Sequence, residues 1–145
     1  MSVEALIDTG PLVAYFVRSE INYAWAVETF KQLRRPALTC EAVIAEACFL
    51  LARRNIPPAR LLTFLQRGDL EIGLALGDEA GPVRALMERY ANVPMSLADA
   101  CLVRLAEMTG LPICTLDSDF LIYRAHGRNA LNLIVPPRAR GLHEP

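Results

Sequence analysis

Short, solidly apolar runs set between helix-length stretches constrain this chain more than any other feature. The runs are residues 3–7, "PALT", "LEIGLAL", "LPICTL" and "LNLIV". A strand with one wet face alternates apolar and polar residues. Most of these runs do not, so both faces of each strand are expected to be covered. Such strand–helix alternation predicts an α/β fold, a single α/β/α sandwich around a central parallel sheet.

The helices are read from their ends. A short helical stretch runs to about Arg18, and a second helix covers 22–34. Thr39 is placed to cap a long helix continuing to about Arg54. The prolines of "NIPPARLLTFLQRG" start the next helix, and Gly68 stops it. Residues 78–91 return to helical spacing, and Ser96 precedes a helix over 97–109 that Gly110 ends. "SDFLIYRA" reads as a short helix, and Pro136 and Pro137 close the last strand. The expectation is one domain over residues 1–137 and a frayed tail at 138–145.

No apolar run approaches the roughly 18 residues needed to span a bilayer. The start, "MSVEALID", lacks the basic-then-apolar pattern of a secretory signal, so the expected location is cytoplasmic. Hydrophobic residues make up 53% of the chain, which implies a well-buried core, an oligomer interface, or both. The cysteines, Cys40, Cys48, Cys101 and Cys114, form no CxxC pair and read as buried free thiols. His126 and His143 stand far from other zinc-ligand types, so neither a zinc site nor a His-dependent triad is expected.

Four acids stand where acids are costly. Asp8 ends the first strand, where Gly10 and Pro11 turn the chain away; an Asp in such a place also serves as a turn former. Glu46 is the only charge in "AVIAEACFLLA", a helix apolar almost all round and therefore expected to be buried. An unpaired carboxylate there would cost several kcal/mol, unless a buried arginine pairs with it. Glu41, in the first turn of that helix, suits its dipole. Asp99 is the sole charge in "VPMSLADACLV", and with Ser96 it also fits a capping box. Asp117 follows "ICTL" directly, at the carboxyl end of a strand; one of Asp117 and Asp119 can cap the short helix after it, and Asp119 is the preferred capper.

Sites in open parallel sheets form beyond the carboxyl ends of the strands, at the topological switch point. Asp8 and Asp117 belong there, Asp99 begins a helix leading to the Asp117 strand, and Glu46 can lean in from the side. Carboxylates so gathered repel and raise one another's pKa values. A divalent cation removes that penalty, and oxygen ligands without histidine favour Mg²⁺ or Mn²⁺. The fitting chemistry is phosphodiester hydrolysis, which needs no protein nucleophile.

"LIDTGPLVAYF", "EAVIAEACFLLARR", "MSLADACLVRLAEMTGLPICTLDSDF" and "LNLIV" resemble, in order and spacing, the PIN-domain family, and in particular its VapC-type toxin ribonucleases. The resemblance runs from about Val3 to Pro136. It implies a Mg²⁺- or Mn²⁺-dependent endoribonuclease in which Asp8, Glu46, Asp99 and Asp117 form the acidic, metal-binding quartet. Asp119 would be an auxiliary metal-binding acid, and Thr9 and Thr115 hydrogen-bonding neighbours. The partners implied are an RNA substrate, a small antitoxin and a second copy of the chain. PIN domains that process RNA outside any toxin system, or that bind without cutting, are the alternative.

Net charge is −1, so RNA affinity would depend on local arginines. Lys31 is the only lysine, and Arg34, Arg35, Arg53, Arg54, Arg124 and Arg128 are the candidates. A response-regulator receiver needs paired acids after the first strand and a late lysine, whereas Asp8 is followed by Thr9. A haloacid-dehalogenase-type phosphatase needs Asp-x-Asp there, and this chain has Asp-Thr-Gly.

Overall fold

A computed structural model describes residues 3–137; the expected tail at 138–145 lies outside the described residues. Five parallel strands form the central sheet: β1 (Leu6–Ile7), β2 (Ala37–Thr39), β3 (Leu70–Ile72), β4 (Ile113–Cys114) and β7 (Leu133–Ile134). Their order is β3-β2-β1-β4-β7. The chain therefore builds outward from β1 in one direction, then crosses over to add β4 and β7 on the other side. That reversal sets the switch point between β1 and β4.

Helices α1 (Thr9–Phe16), α2 (Tyr23–Gln32), α3 (Glu41–Arg53) and α4 (Ala59–Arg67) follow β1 and β2, while α5 (Leu76–Arg89) and α6 (Leu97–Thr109) precede β4. α1 packs on α2 and α3, α5 packs on α6, and α6 lies on β1. α3 also reaches α6, so it touches both groups of helices. The core is the apolar sheet with its covering residues: Leu6, Ile7 and Ile113 from strands, Leu12, Leu51, Leu102 and Leu105 from helices, all fully buried. This is the α/β architecture that the solidly apolar runs imply.

The strongest end signals hold. Ser96 Oγ accepts from Asp99 N at 3.0 Å, and Ser96 N donates to Asp99 Oδ2 at 3.2 Å, a complete capping box. Gly110, at φ 71°, takes the left-handed conformation that ends α6.

Four local expectations are corrected. Thr39 does not cap α3: its hydroxyl is buried and donates to Ile7 O at 2.8 Å, tying β2 to β1, and Cys40 takes the cap position. Gly10 and Pro11 make no separate turn, because α1 begins at Thr9 and they lie in its first turn, where a missing N–H costs nothing. Asp117, not Asp119, caps the short 3-10 turn at Ser118–Leu121. The rest of "SDFLIYRA" is not helical: Arg124–Ala125 (β5) pairs antiparallel with Asn129–Ala130 (β6).

Candidate active site

The register of the sheet brings the first and fourth strands' ends together. Leu6 pairs with Ile113 and Ile7 with Cys114, so the next residues, Asp8 and Thr115, are neighbours. Asp8 N donates to Cys114 O at 3.0 Å. Thr115 Oγ1 donates to Asp8 Oδ2 at 2.6 Å and accepts from Asp117 N at 2.9 Å. The other oxygen, Asp8 Oδ1, accepts from Thr9 N at 2.7 Å. Asp8 is thus N-cap of α1 and strand terminus at once. Gly10 permits this junction: a Cβ there would stand 3.1 Å from Leu116 Cβ.

A cavity of about 450 Å³ opens over this junction, lined by Asp8, Thr9, Gly10, Glu46, Leu50, Asp99, Leu116, Asp117 and Ser118. All four acids singled out in the sequence are on its wall. They come from β1, α3, α6 and the end of β4, four segments far apart in the chain. Asp119 is not among the lining residues; its backbone N–H donates to Asp117 Oδ1 at 2.9 Å.

Burial differs among the four. Asp8 is buried, Asp99 half-buried, and Asp117 and Glu46 exposed. The exposure of Glu46 corrects the expectation of a fully buried α3. Val43, Ile44, Ala47 and Leu51 face the core, while Ala45, Glu46 and Phe49 are exposed. The apolar character of α3 is therefore partly on the surface. Glu46 needs no buried counter-ion because water reaches it, and it has no salt bridge among the described residues.

Electrostatics set the two inner acids apart. Loss of solvent pushes the Asp8 carboxyl up to about 6, and the charges of Asp99 and Asp117 add to the rise. The bonds from Thr115 and Thr9 oppose it. Asp99 is also raised, first by burial and then by the charge of Asp117, against the bonds from Ser96 and Tyr123. Mutual repulsion of this kind marks groups brought to one place.

One contributor was not legible in the sequence. Tyr123 is fully buried, and its hydroxyl donates to Asp99 Oδ2 at 3.2 Å. Its ring stands edge-on to Phe120 and Tyr90. Asp99 Oδ2 is therefore held by the α6 cap on one side and by Tyr123 on the other. No spacing rule links positions 99 and 123; only the fold of the segment after β4 joins them.

The model of the PIN domain family matches residues 5–125. The chain belongs to the PIN domain family. The match begins just before β1 and ends in β5, so it includes every acid on the cavity wall. PIN domains are generally nucleases, and they generally use divalent metals. No curated protein matches the chain. Among the described residues of this PIN domain, no helix is long and apolar enough to cross a membrane.

The cavity also bears on whether its side chains suit a metal. Every charged group on its wall is an oxygen donor, the set that hard cations prefer. Among the described residues, no group of three or more His, Cys, Asp or Glu side chains stands close enough to hold one ion directly. Mg²⁺ keeps several of its waters, so carboxylates spaced around an open groove suit it without a closed cage. Thr9 Oγ1, in the same wall, is buried without a hydrogen-bond partner and adds a further oxygen. The donor chemistry fits a hydrated Mg²⁺ or Mn²⁺.

Proposed function

We propose that this PIN domain is a Mg²⁺- or Mn²⁺-dependent endoribonuclease whose catalytic acids are Asp8, Glu46, Asp99 and Asp117. The observation that carries this reading is four carboxylates, from four separate segments, on one cavity wall at the switch point of the sheet. A divalent ion bound there supplies polarisation of a phosphodiester and a water acidified for in-line attack.

The chain's own groups prepare that chemistry. Burial and mutual repulsion make charge on Asp8 and Asp99 costly, and a divalent cation in the groove would relieve that cost. Thr9 N and Thr115 Oγ1 fix both oxygens of Asp8, and Ser96 N and Tyr123 Oη fix one of Asp99. Asp117 is oriented by its cap bond to Asp119 N, and Glu46 extends the acidic wall on the solvent side. Asp119, next to the cavity but not among its lining residues, is assigned an auxiliary role.

Within this reading the protein is the toxin of a toxin–antitoxin pair, acting in the cytoplasm as a homodimer that a small antitoxin blocks. Support comes from the sequence motifs, and from exposed apolar side chains such as Leu97, Met108, Leu121 and Ile122 that suit interfaces. A second reading, an RNA-processing or binding-only protein, draws on the lack, among the described residues, of three His, Cys, Asp or Glu side chains placed to hold one ion directly.

Incubating the purified chain with end-labelled structured RNA separates the two. The nuclease reading expects internal cuts with Mg²⁺ or Mn²⁺ that EDTA stops. Retention of RNA without cutting, under both ions, supports the binding-only reading instead.

A further inference from the structure

The arginines proposed to meet RNA are not equivalent. Arg34 pairs with Glu4 at 3.4 Å, and Arg35 with Asp69 at 3.5 Å. Arg54 lies 4.0 Å from Glu20 and bonds Ser19 at 3.3 Å. Arg124 turns back onto the carbonyls of Leu121, Ile122 and Tyr123. Arg53 and Arg128 have no carboxylate partner among the described residues, and of the two it is the Arg53 guanidinium that stands by an exposed ring, 5.7 Å from the centre of Phe49.

Phe49 is itself out of place for a core side chain. It is 61% exposed, in the middle turn of a helix whose inner face is fully packed. Helix geometry relates it to the groove. Glu46, Phe49, Leu50 and Arg53 fall within about 100° of one another around α3, and Glu46 to Arg53 covers about 10 Å of its length. Glu46 and Leu50 line the acidic cavity. Phe49 and Arg53 therefore continue that face beyond the cavity's edge. A cation at the last turn suits the helix dipole and accounts for Arg53 alone, but not for an aromatic ring left in water beside it.

We propose that Phe49 and Arg53 form an RNA subsite adjoining the acidic groove, where Phe49 stacks on an unpaired base and Arg53 contacts the neighbouring phosphate. This rests on the nuclease reading above. The pairing of an exposed ring with an unopposed guanidinium matches what single-stranded RNA offers, an apolar base face joined to an anion. It also places positive charge next to a groove whose own wall is acidic and would otherwise repel the backbone. Stacking is tolerant of base identity, so this subsite selects unpaired over paired RNA more than one base over another.

The test couples the protein ring to a single base. An oligoribonucleotide that the protein cuts is remade with each unpaired position near the cut abasic in turn, and kcat/KM is measured for the parent, Phe49→Ala and Phe49→Trp. One abasic position should cost the parent about tenfold, the usual scale of one lost stack. That penalty should vanish in Phe49→Ala and persist in Phe49→Trp. Arg53→Gln should weaken RNA binding and reduce its salt dependence by about one phosphate contact. An abasic penalty that is equal in the parent and Phe49→Ala overturns the subsite while leaving the nuclease intact. So does a Phe49→Ala chain that changes oligomeric state in sedimentation with the abasic penalty unchanged, since the ring would then belong to a protein interface. If the parent cuts no RNA, the underlying reading fails first.

Discussion

Thr115 Oγ1 lies 2.6 Å from Asp8 Oδ2 and joins the ends of two neighbouring strands. The same hydroxyl accepts from Asp117 N, so one buried side chain sets the positions of two acids. Thr115→Val keeps the shape and removes the donor from a buried carboxylate. It should destabilise the fold by about 1–3 kcal/mol at neutral pH, read by urea denaturation. Thr115→Ser should recover most of that loss.

The raised pKa of Asp8 fixes the sign of a pH effect. Its folded value, about 6, exceeds the ordinary 3.8, so the folded chain holds this proton more tightly than the unfolded one. Asp8 then weakens the fold progressively as pH rises from about 4 to about 6, and the full cost remains above that range. Asp8→Asn removes this dependence. Measured in EDTA, the stability of the variant relative to the parent should improve by on the order of 3 kcal/mol between about pH 4 and pH 7.5. Added Mn²⁺ at the higher pH should raise the melting temperature of the parent and not that of the variant.

Tyr123→Phe separates orientation from packing. The ring keeps its contacts with Tyr90 and Phe120, and only the bond to Asp99 is lost. Stability should fall by about 1 kcal/mol. RNA cleavage should fall further than folding does, with more Mn²⁺ needed for half-maximal rate. A variant matching the parent in both rate and metal requirement would leave Tyr123 a core residue alone.

Glu46→Gln tests the correction to α3. A carboxylate buried without a partner would make this substitution strongly stabilising, whereas an exposed one changes stability by about 0.5 kcal/mol or less. The small effect is expected, together with a large loss of cleavage.

These cases also mark what could be read before the fold was known. α6 was legible at both ends because its signals are local: Ser96 and Asp99 close the box, and Gly110 supplies the left-handed residue. The strands and their order of appearance were legible from solid apolar runs, as was the placement of Asp8 and Asp117 at strand ends. The burial of α3 was misread because hydrophobicity alone does not say which apolar side chains face a groove; Phe49 is apolar and exposed. The β5–β6 hairpin has too short and mixed a sequence for a period to appear. The reach of Tyr123 to Asp99 depends on tertiary packing, for which no spacing exists to be read. Thr39 shows the same limit, since its hydroxyl is taken by a strand 32 residues away instead of the helix beside it.

Cleavage by charge-neutral variants tests the central claim most directly. Parent, Asp8→Asn and Asp99→Asn chains, each with an unchanged circular dichroism spectrum, are incubated with the same RNA and Mn²⁺. The acidic groove predicts internal cutting by the parent, its loss with EDTA, and at least about a hundredfold slower cutting by each variant, the scale of removing charge stabilisation from a reacting centre. Folded variants that cut as fast as the parent would contradict it.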